Sequence, residues 1–334
     1  MLRTQHPFFL KRFLYTIAAI RHFEKCGISL EFPLTIQIQT QSRCTGSCPI
    51  CPYSAMKDKF SHGVMAESLF KKIADEAMRE RYFMEMVFML QNEPLLDKRT
   101  FWFIQYVKSI GKHKKCSITT TGEFFDEFTL NEIKKSGVDH IMISINAFTK
   151  EMFEAINKGI DYNRVMKNIE LLMADNILRK KIILKYVVTE QNKHEVRQAE
   201  RYWTIRGMRL RISDVSNRGG ALDSFEAIRP QYKNATVMQK ARQSLNRYII
   251  KKWLRVCPFP FFMMNILHNG EVIFCCNDWR RAIKLGNVSH CSIKDIWNSL
   301  EMNQVRSSFL EYNHQSIKTC ASCSMLNNLN HSVS

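Results

Sequence analysis

From residue 34 onward, short apolar runs alternate with longer stretches in which apolar residues recur every three or four positions. LTIQIQT at 34–40 has the alternation of a strand, whereas ESLFKKIADEAMR at 67–79 has the spacing of an amphipathic helix. Further strands are predicted at 84–90 (MEMVFML), 116–121 (CSITTT), 140–145 (HIMISI), 181–188 (KIILKYVV) and 210–213 (LRIS). Helical spacing fills the intervals, for example at 162–174 and 194–202. Six strand–helix repeats imply a parallel sheet with right-handed crossovers. Six are too few to close the eight-fold barrel, but in barrels of this kind the site lies at the C-terminal strand ends.

Two flanking regions break the pattern. Ahead of residue 34, Phe9, Phe13, Ile17 and Ile20 fall on one face of a helix, with Lys11, Arg12 and Arg21 elsewhere. Charges crowd both sides of FLYTIAAI and no small-residue cleavage site follows, which argues against a signal peptide. The apolar face is expected to dock on the chain's own core, with contact to a membrane surface as the alternative. After residue 216 comes a loop, NRGGALD, and then a basic helix, VMQKARQSLNRYIIKKWL. From 257, CPFPFFMMNILHNGEVIFC sets a hairpin turn at Asn269-Gly270 between apolar strands. The expected organisation is therefore a helix at 1–33, a partial barrel at 34–216, a basic linker at 217–256 and a small unit at 257–334.

The net charge of +18 sharpens the picture of partners. Residues 178–256 carry nineteen Lys or Arg against six Asp or Glu, a field that attracts anions. Candidates are phosphorylated small molecules, acidic peptides, anionic lipid or nucleic acid. No RNA- or DNA-binding motif accompanies the charge, so a nucleic-acid partner ranks low. No apolar run approaches the roughly 20 residues of a membrane span.

The cysteines carry the chemistry. Cys44, Cys48 and Cys51 stand together in CTGSCPIC, on the loop after the first strand. Three thiolates at this spacing can hold three corners of a cubane cluster, leaving one iron open where four cysteines would close it. The alternative is zinc, which wants a fourth ligand that no nearby Cys or His supplies. A second set, Cys257, Cys275, Cys320 and Cys323, is gathered by the hairpin and a late CASC pair. Four thiolates can close around either a cubane or zinc. Cys26, Cys116 and Cys291 read as ordinary buried residues.

The Cys-x3-Cys-x2-Cys spacing, with Ile50 before the last cysteine, resembles the radical S-adenosylmethionine (SAM) enzymes. The region from Cys257 resembles the SPASM/twitch auxiliary-cluster domains. The likeness rests on Gly270 before Cys275, the LGNV and SIKDIW stretches, and the final CxxC. The resemblance implies an α/β fold: a partial (β/α)6 TIM-type barrel followed by a small α+β auxiliary-cluster domain. It implies SAM, a [4Fe-4S] cluster with one open iron, and one auxiliary [4Fe-4S] cluster. An external reductant such as a flavodoxin or ferredoxin, and a reducing cytoplasmic compartment, follow from the same likeness.

It also implies site residues. The family's Gly-Gly-Glu-Pro segment binds the SAM amino group. Here QNEPLL puts Asn92 and Glu93 in those places and departs from the family in lacking the glycines. Ile50, Thr121, Gly122, Ser144, Asn146, Thr189 and Asn192 stand at loop positions expected to contact SAM. Cys276, beside the expected ligand Cys275, is a candidate hydrogen donor to a substrate radical. In the family, reductive cleavage of SAM yields a 5′-deoxyadenosyl radical that abstracts hydrogen from an unactivated C–H bond. The single-auxiliary-cluster layout resembles dehydrogenases and epimerases of sugar or cyclitol carbons, and an anionic substrate of that kind suits the charge. The alternatives are maturation of a ribosomally made peptide and a metal-bearing nucleic-acid-binding protein. Only about thirty residues precede the first strand, few for a peptide-leader-binding segment.

Overall fold

The structure, a computed structural model, describes residues 7–27, 29–231 and 256–324. The basic helix expected at 237–254 lies outside the described residues. Nine strands form one sheet in the order β6-β5-β4-β3-β2-β1-β7-β8-β9. The first six are β1 (Thr35–Ile38), β2 (Glu85–Phe88), β3 (Lys115–Thr120), β4 (His140–Ser144), β5 (Ile182–Val188) and β6 (Arg209–Asp214). Each pairs in parallel with its neighbour, making the partial (β/α)6 barrel.

The connecting helices form where the spacing placed them. They include Glu67–Arg79, Thr100–Ile110, Glu127–Ser136, Tyr162–Ala174 and Val196–Ile205. Side-chain caps fix several starts: Asp126 accepts from Thr129 N at 2.7 Å, and Asp161 accepts from Arg164 N at 3.0 Å. Their apolar faces pack on the sheet, with the Phe70 and Phe103 rings 4.0 Å apart between centroids. At the N-terminal strand ends, Asp139 pairs with Lys108 and Lys115 at 2.5 and 2.6 Å. Hydrogen bonds from both lysines and from Cys116 N hold its carboxyl below the usual range, against the opposing pull of burial.

The C-terminal unit is continuous with the barrel sheet. Strand β7 (Met263–Ile266) pairs in parallel with β1, from Thr35↔Met263 to Ile38↔Ile266. The hairpin then turns at Gly270 (φ +84°) into β8 (Glu271–Ile273), and β9 (Lys284–Asn287) closes the sheet. A parallel sheet of six strands leaves two bare edges, and the apolar MMNI strand covers the one at β1. The SIKDIW stretch forms a short helix, Ile293–Trp297, and Trp297 is fully buried with its Nε1 donating to Leu30 O at 2.8 Å.

The helix Pro7–Cys26 docks by its apolar face. Ile17, Ile20 and Phe23 are buried, and Phe23 meets Phe261 edge-on. Among the described residues no helix is long and apolar enough to cross a membrane. Of the three cysteines read as buried, only Cys116 is. Cys26, at a helix end, and Cys291, in a turn, are exposed.

Candidate active site

The loop after β1 carries Cys44, Cys48 and Cys51 and is tied down from several sides. Cys44 N donates to the Tyr53 hydroxyl at 2.9 Å, Ser47 N to Lys158 O at 2.8 Å, and Cys51 N to Cys48 O at 3.0 Å. Glu93 N donates to Arg43 O at 2.9 Å, joining this loop to the one after β2. Tyr53, Ala221 and Trp279 form an apolar cluster on which Cys44 and Cys51 pack. Trp279 comes from the C-terminal unit, so both halves of the chain enclose the loop.

All three cysteines line one cavity of about 200 Å³ at the C-terminal strand ends. Ile50, Asn92, Glu93, Thr121, Ser144, Asn146 and Cys276 line it too. Glu93 is buried and anchored: Thr120 Oγ1 donates to Oε1 at 2.6 Å, Leu95 N to Oε1 at 3.1 Å, and Thr121 N to Oε2 at 2.7 Å. Burial raises its carboxyl above the usual range, and these bonds oppose the rise. A carboxylate has about four acceptor positions, so one is left for a ligand's ammonium. Asn92 Oδ1 accepts from Leu90 N at 2.9 Å, while its Nδ2 is buried without a partner among the described residues. Thr119 Oγ1 and Gln37 Oε1, on residues of the same lining, are likewise unpartnered.

The donor set suits an iron–sulfur cluster. Burial pushes the Cys44 and Cys48 thiols up to about 12, so without a cation they stay protonated. A metal centre reverses that balance by binding the thiolates. Among the described residues, no three His, Cys, Asp or Glu side chains converge on one point as zinc ligands do. A [4Fe-4S] cubane takes one thiolate per iron, and Cys44, Cys48 and Cys51 line a single cavity.

Three expected contacts stand outside the cavity lining. Gly122 (φ +88°) packs on β4, where an added Cβ would sit 2.6 Å from Ile143 Cγ2. Asn192 caps the main chain, its Nδ2 donating to Asn146 O and Val187 O at 2.6 and 2.9 Å. Thr189 N donates to Asn192 Oδ1 at 2.7 Å, which makes these two residues one buried turn. Asn146 lines the cavity, but its side chain bonds Val187 N and Asn157. Among the described residues, the Ser144 hydroxyl makes no hydrogen bond.

Sequence reasoning missed thirteen lining residues, among them Gln37, Gln91, Lys185, Arg218 and Trp279. Lys185 had a signal, a cation inside the apolar run KIILKYVV. Burial, then Arg218 and Arg211, pull its ammonium down to about 8. Gln91, Asn146 and Arg218 all have positive φ, and such strain gathers at functional sites. Gln91 straps the two units together: its Nε2 donates to Cys276 O at 3.1 Å, and its Oε1 accepts from Arg281 at 3.2 Å.

Arg218 is delivered by the NRGG loop. Asn217 Nδ2 donates to Ser322 O, and Ser324 N returns a bond to Asn217 Oδ1 at 2.9 Å. A Cβ on Gly219 (φ +64°) would stand 2.6 Å from Thr319 Cγ2 and 2.9 Å from Asn277 O. Gly219→Ala is therefore expected to cost about 1–2 kcal/mol from the left-handed backbone alone. The clash adds to that and loosens Arg218, an outcome checked by thermal unfolding of the variant.

Beyond this cavity, Cys257, Cys275, Cys320 and Cys323 line a second, narrower one, shielded by Phe259, Phe274 and Phe309. Burial pushes the Cys257 thiol up to about 12 and raises that of Cys320. The adjacent Cys275 and Cys276 open into different cavities, so one stretch of main chain separates the two.

The model of the radical SAM superfamily matches residues 38–202, and that of the SPASM iron–sulfur cluster-binding domain matches residues 257–324. The chain belongs to the radical SAM superfamily. Its cofactors are accordingly SAM, a [4Fe-4S] cluster and auxiliary iron–sulfur binding in the SPASM domain, and it is a radical SAM enzyme. It is 21% identical over 288 residues to the S-adenosyl-L-methionine-dependent 2-deoxy-scyllo-inosamine dehydrogenase of Niallia circulans, covering 86% of this chain and 91% of that one. The crystal structure of BtrN in complex with AdoMet and 2-DOIA has a TM-score of 0.56 at 19% identity, covering 87% of this chain and 92% of that one. Streptococcus suis SuiB bound to precursor peptide SuiA has a TM-score of 0.65 at 16% identity, covering 92% and 73%. The radical SAM fold is thus shared with proteins whose substrates differ in class. With the superfamily established, the nucleic-acid-binding alternative gives way.

Proposed function

We propose that this radical SAM enzyme acts on a hydroxylated carbon of a sugar- or cyclitol-type, anionic substrate, oxidising or epimerising it. The observation that carries the reading is the shared lining. Three cysteines, the anchored Glu93 and the Asn92 Nδ2, unpartnered among the described residues, meet in one cavity with Cys276. When bound, the cluster and SAM supply a one-electron reductive cleavage that leads to hydrogen abstraction. Cys44, Cys48 and Cys51 would hold the cluster. Glu93 would accept from the SAM ammonium, and Asn92, Thr121 and Ser144 would orient the rest. Trp279 and Tyr53 keep water from the cluster loop. Cys257, Cys275, Cys320 and Cys323 suffice for one auxiliary cluster. The likeness to the Niallia circulans dehydrogenase over nearly its whole length supports the cyclitol class. An external reductant such as a flavodoxin or ferredoxin, in a reducing cytoplasm, completes the reading.

Peptide modification is the second reading, supported by the likeness to SuiB. Anaerobically reconstituted enzyme, reduced with SAM, should release 5′-deoxyadenosine. Deuterated cyclitols, sugars and their phosphates should pass deuterium into it. Transfer only from peptide substrates would overturn the first reading. Cys276 separates the two outcomes at carbon. Solvent deuterium in the product that disappears in Cys276→Ala marks epimerisation, and a ketone product marks oxidation.

A further inference from the structure

We propose that Lys185 and Arg218 form a seat for the phosphoryl group of a phosphate-monoester substrate, an inference that rests on the function proposed above. The two cations come from neighbouring elements, Lys185 from within β5 and Arg218 from the loop after its partner strand β6, and both line the cavity. Among the described residues, Lys185 Nζ makes no hydrogen bond or ion pair. Arg218 Nε is likewise buried without a partner among the described residues.

Among the described residues no carboxylate pairs with either cation, and the acidic groups that face them are the thiols of Cys51 and Cys276. Among the described residues Glu93 is the only carboxylate in the cavity lining; Thr120, Thr121 and Leu95 take three of its acceptor positions, and the fourth is the one assigned above to the SAM ammonium. Nearby Asp278 is spent on Thr319 Oγ1 at 2.8 Å and on Ala282 N at 3.1 Å. Two like charges held together in a partly dry cavity cost free energy unless an anion joins them. A guanidinium fork beside an ammonium matches a phosphate dianion in charge and in donor geometry. The chain also holds Arg218 in place at a structural cost. It sits at φ +52°, followed by two glycines at positive φ packed on the CASC loop.

The test is calorimetric titration of inorganic phosphate into anaerobically reconstituted enzyme already saturated with SAM, with acetate as the monoanion at equal ionic strength. One phosphate per chain should bind, more tightly than acetate. Losing one charge-assisted contact should weaken it about tenfold in Lys185→Met and in Arg218→Gln. Lys185→Arg should restore most of the affinity, which separates loss of charge from loss of fold. Absence of phosphate binding, or equal affinity in wild type and both variants, overturns the proposal. Phosphate that binds only when SAM is absent overturns it as well, because the pair then serves the methionyl carboxylate. A 5′-deoxyadenosine assay on the same sample judges the enclosing reading separately. Phosphate seated on Lys185 and Arg218 in an enzyme that never cleaves SAM would leave the seat standing and the reading refuted.

Discussion

Cys48→Ser should abolish release of 5′-deoxyadenosine and leave the chain folded. The loop is held by main-chain bonds at Ser47 and Cys51 and by the Tyr53 hydroxyl, none of which involves the Cys48 side chain. Burying a serine hydroxyl in place of a neutral thiol costs about 1–3 kcal/mol, a fraction of the stability of a chain this size. The cluster fares differently. A trio of thiolates reduced to a pair leaves a second iron without a protein ligand. The variant should therefore lose roughly half its iron, keep the auxiliary share, and melt within a few degrees of wild type. Retained SAM cleavage would place the cluster elsewhere. Collapse of the fold would give the cysteine a structural role instead.

Arg306→Met should lower both stability and auxiliary iron. Arg306 lies on the helix Leu300–Leu310 and is fully buried, with no acidic partner in an ion pair among the described residues. Its Nε donates to Pro260 O at 3.0 Å, and its Nη1 donates to Trp297 O at 2.8 Å and to Asn303 Oδ1 at 2.7 Å. The guanidinium lies 4.3 Å from the centre of the Trp297 ring. Burial pulls it down to about 9. Methionine fills the volume and removes a desolvated charge, which favours the variant. Against this, two buried carbonyls lose their donor at about 1–3 kcal/mol each. The carbonyls win, and net destabilisation of about 2 kcal/mol is expected, read as a lower unfolding midpoint. Pro260 lines the auxiliary cavity, so auxiliary iron should fall as well. A midpoint equal to wild type would show that the charge was as costly as its bonds were useful.

Much of the barrel was legible because strand and helix periods differ. The helix expected at 67–79 is found at Glu67–Arg79, and the strand expected at 181–188 begins one residue later, at Ile182. The parallel union of β7 with β1 was not legible, since more than two hundred residues separate the partners and register leaves no local signature. The same holds for the site. Cys44, Cys48, Cys51 and the Asn92-Glu93 pair sit in short motifs. Lys185, Arg218 and Trp279 reach the cavity only through the fold. Asn192 stands outside the cavity lining and bonds main chain, since an amide at a strand end caps main chain as readily as it meets a ligand.

The union of β1 and β7 limits how this enzyme can be recombined. A chimera that grafts a relative's auxiliary unit at residue 256 must import a strand matching Thr35 to Ile38 in register. Without it, unsatisfied amides face solvent along β1, and the hybrid would find its missing partner in another copy of itself.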